Sequence, residues 1–101
     1  MDELETSTTR TQESESEQIR RAFGMVVTRH RLKANFKQRM FARVIGISNS
    51  HLRSIESGGV SPTLATICKI ASALNADPSD LVREAYTLAR EAPQNNTEFE
   101  A

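Results

Sequence analysis

The amino-acid sequence predicts a compact all-α domain of five helices, and three observations support this fold class. Apolar residues recur at spacings of three and four, as on one face of a helix. Residues that start and stop helices separate these segments. The strict alternation of apolar and polar residues that marks a strand is missing from the sequence. With 101 residues the chain fits one domain, which we place at residues 14–92.

The first predicted helix begins at Ser14 or Ser16, because Ser14 and Glu17 have the spacing of a capping box. Asn35 ends it, since Asn tolerates the left-handed conformation. The residues expected on its buried face are Ile19, Phe23, Val26, Val27, His30 and Ala34.

The second helix is predicted from Lys37 to Ile45 and the third from Asn49 to Glu56. Gly46 is free to adopt the positive φ that ends the second helix, and Ser48 is a suitable N-cap for the third. Ala42 is small enough to let the two helices cross closely.

The third helix is expected to pack through one narrow face, because its only apolar residues are Leu52 and Ile55. Its opposite face is polar and projects outward, and consists of Asn49, Ser50, Arg53 and Ser54.

The fourth helix is predicted to start at Ser61-Pro62-Thr63, after the chain break at Gly58-Gly59. Its apolar stripe consists of Leu64, Ile67, Cys68, Ile70, Ala71 and Leu74. Because Cys68 falls within this stripe, we expect a buried core thiol.

The fifth helix is predicted to start at Asp77-Pro78, with Asp77 as the N-cap and Pro78 in the first helical position. It has two apolar stripes, Leu81-Ala85-Leu88 and Val82-Tyr86-Ala89. One stripe can pack on the core while the other meets a partner.

Net charge is zero, but the charges are unevenly distributed along the chain. Residues 18–57 carry nine Lys and Arg and one acid, Glu56. Residues 1–17 carry six acids and one base, and residues 58–101 carry six acids and three bases. A merely hydrated basic face would interleave acids. The central segment is instead typical of a surface that meets a polyanion such as nucleic acid.

Residues 1–13 predict a disordered acidic tail and residues 93–101 a flexible C-terminal tail, because both are poor in apolar groups. No apolar run is long enough to span a bilayer, and the N-terminus does not have the pattern of a secretory signal. We therefore expect a cytoplasmic protein without membrane contact. The sequence offers no metal-ligand spacing, catalytic set or phosphate loop, so we expect no metal, no cofactor and no enzymatic activity.

The segment Gln38–Glu56 resembles the helix-turn-helix of the Cro-like, phage-repressor-type (XRE) family of DNA-binding proteins. The resemblance extends over about Arg20 to Leu81. It rests on the joint spacing of Gln38, Ala42, Gly46, Ser48, Leu52, Ile55, Glu56, Gly58, Pro62, Leu64 and Ala71–Leu74. It implies a lambda-repressor-like fold that binds double-stranded DNA sequence-specifically, with the helix Asn49–Glu56 in the major groove.

The resemblance also implies roles for single residues. Base contacts are expected from Asn49, Ser50, Arg53 and Ser54, although Arg53 could contact a phosphate instead. Phosphate contacts are expected from Gln38, Lys37, Arg39, Arg43 and Ser57. Arg31 and Glu56 match a pair that often forms a buried, structural ion pair in this family.

Two positions depart from the family pattern. Lys37 stands where Ser or Thr is common as an N-cap, so the second helix is expected to be less well capped. His51 stands at a site that is often aromatic, and we expect it to pack partly against the first helix.

The expected function is that of a transcriptional regulator, a repressor that binds a palindromic site as a homodimer. The alternative is an antitoxin-like or other protein-interaction module, in which DNA binding is secondary. A stoichiometric protein partner combined with weak DNA binding at physiological salt would favour the alternative.

Overall fold

The computed structural model describes residues 14–91 of the chain. This part of the chain contains five α-helices and no β-strand. Their bounds are Glu15–Lys33 (α1), Gln38–Ile45 (α2), Asn49–Glu56 (α3), Leu64–Ala73 (α4) and Pro78–Glu91 (α5). The all-α prediction is confirmed. The tails predicted at residues 1–13 and 93–101 lie outside the described residues. None of the five helices is long and apolar enough to cross a membrane.

The capping residues predicted from the sequence bound the helices. Ser14 and Glu17 form the capping box, in which the Glu17 N–H donates to Ser14 Oγ (3.1 Å) and the Ser14 N–H donates to Glu17 Oε1 (3.0 Å). Asn35 follows α1 with a φ of 64°, and Gly46 ends α2 with a φ of 77°. The side chain of Ser48 accepts a backbone N–H from the first turn of α3. Local sequence chemistry therefore sets where α1, α2 and α3 begin and end.

The core lies where the helices converge. α1 makes its most extensive contact with α5 and also packs on α3, while α2 packs on α3 and α4, and α4 packs on α5. Every helix contributes to the fully buried large side chains, which are Val26, Val27, Phe41, Leu52, Ile55, Ile70 and Leu81. Burial of one such side chain contributes about 1.5–3 kcal/mol relative to exposure. This cluster fixes the orientation of α3 on the rest of the domain.

The buried face of α4 differs from the predicted stripe. Leu64 is 76% exposed and Cys68 is exposed, so the prediction of a buried core thiol is wrong. Thr66 is buried instead, and its hydroxyl accepts a hydrogen bond from Thr63 Oγ1 (3.0 Å). Because the N-cap supplies this partner, burying the hydroxyl of Thr66 costs little. The buried face of α4 is therefore rotated toward Thr66.

The two apolar stripes of α5 have different environments. Leu81 and Ala85 are fully buried in the core, whereas Val82 and Tyr86 are 44% and 56% exposed. The first stripe therefore stabilises the domain, and the second stays accessible on its surface.

Candidate nucleic-acid interface

A tight turn joins α2 to α3. Gly46 takes a positive φ, and the N–H of Ile47 donates to the carbonyl of Ala42 (3.0 Å). Ala42 is 2% exposed, and its small side chain permits close packing of α2 on its neighbours. Leu52 and Ile55, both fully buried, anchor α3 to the core. The turn and these anchors leave the opposite face of α3 pointing away from the domain.

α1 supports the C-terminal end of α3 through a backbone contact that requires glycine. A Cβ at Gly24 would lie 2.6 Å from the carbonyl oxygen of Ile55 and closer still to that of Glu56. Just beyond α3, the Nε of Arg20 donates to the carbonyl of Gly58 (3.3 Å). The end of α3 and the following turn are thus held directly against α1.

Glu56, the last residue of α3, connects three helices. Arg31 of α1 donates from Nε to Glu56 Oε2 (2.7 Å) and from Nη2 to Glu56 Oε1 (3.1 Å). Gln38 of α2 donates from Nε2 to the same Oε1 (2.8 Å). The third arm of Arg31, Nη1, donates to the carbonyl of Phe36 (2.8 Å). The two residues named for a structural ion pair are therefore in contact.

The Arg31–Glu56 pair is also shielded from water, with side chains 9% and 7% exposed. A buried, bidentate pair of this kind makes each partner depend on the other, because a lone buried charge is costly. Because Glu56 is the single acid of residues 18–57, its burial against Arg31 leaves no carboxylate of this segment exposed at the surface.

The surface formed by α2 and the outer face of α3 is therefore basic. Apart from Arg31, residues 18–57 contribute eight Lys and Arg and no further acid. The other acids of the described range lie in the first turn of α1, at the start of α5 or along it, and are Glu15, Glu17, Asp77, Asp80, Glu84 and Glu91. Glu84 bonds to His30 of α1, so the acids of α5 lie beside α1, and the positive potential that attracts an anionic polymer belongs to α2 and α3.

The residues named for base contacts share the outer face of α3 but differ in exposure. Ser50 and Arg53 are exposed and Ser54 is half-buried, and a shallow open depression is lined by Gln38, Ser50, Arg53, Ser54, Glu56 and Ser57. Asn49 is half-buried, and its Oδ1 is buried without a hydrogen-bond partner in the described range. Bidentate pairing with adenine uses both polar atoms of an Asn, so Asn49 has to rotate before it can make that contact.

The start of α2 offers a place for an anion. Lys37 is the N-cap of α2, but its side chain makes no capping hydrogen bond, in agreement with the weak capping expected from the sequence. The free N–H groups of the first turn and the helix dipole favour a negative group there. Lys37, Arg39 and Arg43 are all exposed, so their charges add to this local potential.

Two other candidates for phosphate contact are already engaged within the domain. The Gln38 amide donates to Glu56 (2.8 Å), and the Ser57 hydroxyl donates to the carbonyl of Ser54 (3.2 Å). The backbone N–H of Ser57 donates to the carbonyl of Arg53 (3.0 Å). Ser57 must therefore turn its hydroxyl away before it can donate to a phosphate.

The structure also corrects one expectation and adds contacts that the sequence did not reveal. His51 is exposed, so the expected partial packing against α1 is wrong. The contact of Gly24 with α3 had only one signal in the sequence, a glycine inside an otherwise good helix. The bond from Gln38 to Glu56 had none, because it depends on the angle at which α2 meets α3.

Comparison with known proteins places this geometry in a family. Residues 29–81, more than half of the chain, match the model of the helix-turn-helix family HTH_3. No curated protein matches the chain.

Solved structures share the fold. The chain is similar to the clp gene regulator ClgR from Corynebacterium glutamicum, with 22% identity over 71% of this chain and 77% of that chain and a TM-score of 0.68. The restriction-modification controller protein C.AhdI from Aeromonas hydrophila is 28% identical over 60% of this chain and 92% of its own, with a TM-score of 0.59. An HTH_3 family transcriptional regulator from Vibrio cholerae is 28% identical over 78% of this chain and 45% of its own, with a TM-score of 0.64. The resemblance to phage-repressor-type proteins is confirmed, and the chain belongs to the HTH_3 family of helix-turn-helix, DNA-binding transcriptional regulators.

Proposed function

We propose that this regulator acts as a repressor that binds a specific palindromic site in double-stranded DNA as a homodimer. The observation that carries the proposal is the outer face of α3, where Ser50, Arg53 and Ser54 lie beside the basic start of α2. A helix with short polar side chains and one Arg fits the major groove. Occupation of a promoter is sufficient to block transcription. The names of the similar proteins, a gene regulator and a controller protein, support a regulatory role.

In this proposal α3 reads the bases. Arg53 is long and exposed and contacts a guanine, while Ser50 and Ser54 contribute weaker contacts. Asn49 pairs with an adenine after its side chain has rotated. The Arg31–Glu56 pair takes no part in reading and holds the end of α3 in place.

The DNA backbone is held from the start of α2. Lys37 and Arg39 contact phosphates beside the free N–H groups, and Arg43 extends the contact by one turn. Gln38 contributes through its second amide hydrogen, and Ser57 through its hydroxyl after rotation. These contacts set affinity and register, and the bases set the choice of sequence.

The homodimer is proposed to form through α5, where Val82 and Tyr86 are one turn apart and both exposed. A two-fold axis there presents two copies of α3 to half-sites about one helical turn apart, or about 34 Å.

The test is a selection from a pool of random duplexes with the full chain, followed by titration of the winning duplex at several salt concentrations. We expect an enriched palindrome whose affinity falls steeply with salt. Weak, salt-sensitive binding without enrichment would contradict the proposal. If a stoichiometric protein then co-purified with the chain, the antitoxin-like or other protein-interaction function would replace it.

A further inference from the structure

We infer that the acidic residues 1–13 bind the DNA-binding surface of their own domain and compete there with DNA. The inference concerns the regulation of the proposed DNA site, and its regulatory meaning rests on that proposed function. It is carried by three observations, which are the sign of the two charges, the position of the segment and the exposure of the basic residues.

The first observation is charge complementarity. Residues 1–13 carry four acids, Asp2, Glu3, Glu5 and Glu13, and one base, Arg10. Opposite them, four basic residues are exposed at the start of α2 and on α2 and α3, where the one acid, Glu56, is paired with Arg31; the four are Lys37, Arg39, Arg43 and Arg53. Because that pair uses the only acid of the basic segment, the segment supplies no further carboxylate to neutralise the surface. A segment of the opposite sign, tethered to the same domain, supplies a counter-charge for these four residues.

The second observation is where the acidic segment joins the domain. α1 starts at Glu15, and five residues later Arg20 bonds to Gly58, in the turn that follows α3. The basic surface thus begins within about 8 Å of the junction, at 1.5 Å per helical residue. The segment therefore enters the domain next to the end of α3.

The far side of the basic surface is also within reach. Arg31 bonds to Phe36, next to Lys37, and lies sixteen residues along α1 from its start, or about 24 Å. Eleven extended residues span about 36–40 Å, so Glu3 reaches Lys37 from Ser14, whereas Glu13 stays near the start of α1. Asp2, Glu3 and Glu5 are therefore the acids that compete at α2 and α3.

The third observation is that the basic residues of α2 and α3 are available. Lys37, Arg39, Arg43 and Arg53 are all exposed, and Lys37 is not used as a helix cap. Exposed pairs are individually weak and screened by salt. A tether raises the effective concentration of the segment to the millimolar range, so several weak pairs add up to a measurable contact.

The first test is zero-length carbodiimide cross-linking of the full chain without DNA, with the linked residues identified by mass spectrometry. The chain has three lysines, and these supply their own control. Lys33 and Lys37 flank the turn between α1 and α2, whereas Lys69 of α4 lies beside the opposite end of α2, near Gly46. We expect intramolecular links from Asp2, Glu3 or Glu5 to Lys33 and Lys37, and their loss at 0.5 M salt, where the Debye length is only about 4–5 Å.

Equal linking of the acids to Lys33, Lys37 and Lys69, or linking that salt does not change, would overturn the inference. This readout needs no DNA, so it separates the inference from the proposed function. A chain that cross-links as expected but enriches no duplex contradicts the proposed function alone.

The second test measures binding of the selected duplex by a chain with Asp2→Asn, Glu3→Gln and Glu5→Gln. At low salt we expect its Kd to be about threefold to tenfold lower than that of the unchanged chain, and we expect the difference to vanish as salt rises. The control is Asp80→Asn with Glu91→Gln, which removes acids at fixed positions on α5 and should leave Kd unchanged. An equal gain per charge in both variants would show an effect of net charge alone and would overturn the inference.

Discussion

Among single residues, Glu56 shows how one buried carboxylate can orient α3, the helix proposed to contact the bases of DNA. It accepts three hydrogen bonds, two from Arg31 and one from Gln38, and its side chain is 7% exposed. Removing only one residue of the Arg31–Glu56 pair lowers the free energy of unfolding strongly, because the remaining charge stays buried without its partner.

Glu56→Ala is expected to lower the free energy of unfolding by about 3–5 kcal/mol, because the buried guanidinium of Arg31 is left unpaired. The double variant Arg31→Met with Glu56→Leu should cost much less, since it leaves no lone charge. Urea unfolding of the wild type, of Arg31→Met and Glu56→Leu as single variants, and of the double variant measures the difference. A double variant that loses the sum of both single losses would contradict a structural pair.

Arg53→Ala is expected to weaken binding to the selected duplex by about 1–3 kcal/mol and to relax the choice of base at one position. The matched variant is Arg43→Ala on α2, for which we expect equal losses on selected and random duplex, since Arg43 is proposed to contact only phosphate. Titration of both duplexes with both variants separates the two roles. Equal losses for Arg53→Ala on the two duplexes would reassign Arg53 to the backbone.

At the scale of helices, the crossing of α1 and α3 depends on the space at Gly24. The carbonyl groups of Ile55 and Glu56 occupy the place where a side chain would stand. Backbone atoms cannot move aside as a flexible side chain can, so the two helices would have to separate. Because the same carbonyl groups end α3, their displacement would also tilt the outer face of α3, which is proposed to contact DNA.

Gly24→Ala is expected to destabilise the domain by about 1–3 kcal/mol, although alanine favours a helix, because overpacking exceeds the gain in propensity. The control is Met25→Ala at the next position of α1, where the side chain is 50% exposed and the change should be nearly neutral. Thermal unfolding of both variants compares them. A Gly24→Ala variant that melts higher than the wild type would refute the close crossing.

The start of α5 gives a prediction about pH. The pKa of Asp77 is lowered from its ordinary value of 3.8, first by the hydrogen bond from the Ser79 hydroxyl and then by that from the Ser79 backbone N–H. A lowered pKa in the folded state contributes stability above about pH 4, which is lost as the pH falls through the folded pKa.

Asp77→Asn keeps an acceptor for the cap but removes the titrating group. The difference in unfolding free energy between wild type and Asp77→Asn is therefore expected to shrink as the pH is lowered from 5 toward 2. Urea unfolding at a series of pH values measures it. A difference that grows on acidification would contradict the direction of the pKa shift.

The sequence predicts α2 and α3 better than it predicts α4, for a physical reason. At Gly46 and Ser48 the structure is decided by helix capping and turn formation, which depend on residues that are close together in the sequence. The face that α4 buries depends on which helices cover it. The periodicity of apolar residues therefore predicts Leu64 and Cys68 in the core, where they do not lie. It does not predict the burial of Thr66, whose hydroxyl is hydrogen-bonded to Thr63, the N-cap of α4. The candidate DNA contacts came from the family resemblance, and their internal hydrogen bonds could not be foreseen.

Across the domain, the basic surface of α2 and α3 lies apart from the exposed apolar pair on α5. The exposed basic residues at the start of α2 and on α2 and α3 are Lys37, Arg39, Arg43 and Arg53, while the exposed pair Val82 and Tyr86 lies on α5. The guanidinium of Arg90 covers part of the Tyr86 ring, at 5.6 Å from its centroid. This separation allows a two-fold partner to bind α5 while both copies of α3 remain open to DNA.

Tyr86→Ser is expected to raise the dimer dissociation constant at least about tenfold, because truncation of an aromatic residue at an interface centre removes more than 1.4 kcal/mol. The matched control is Thr87→Ser, at the next and equally exposed position of α5, which should leave dimerisation unchanged. Sedimentation equilibrium across a range of protein concentrations measures both. Unchanged association of the Tyr86→Ser chain would move the dimer interface away from α5.

The anchoring of α3 by Leu52, Ile55 and Glu56 has an evolutionary consequence. The groups that hold this helix and the groups proposed to contact bases are different side chains on the same two turns. Ser50, Arg53 and Ser54 can be exchanged without disturbing the core, since none of them is fully buried. Duplicated copies of such a gene can therefore diverge to separate binding sites by a few surface substitutions. The DNA preference of the domain can therefore be changed without changing its fold. Replacing Ser50, Arg53 and Ser54 by the residues that a relative has at these positions should transfer the DNA preference of that relative.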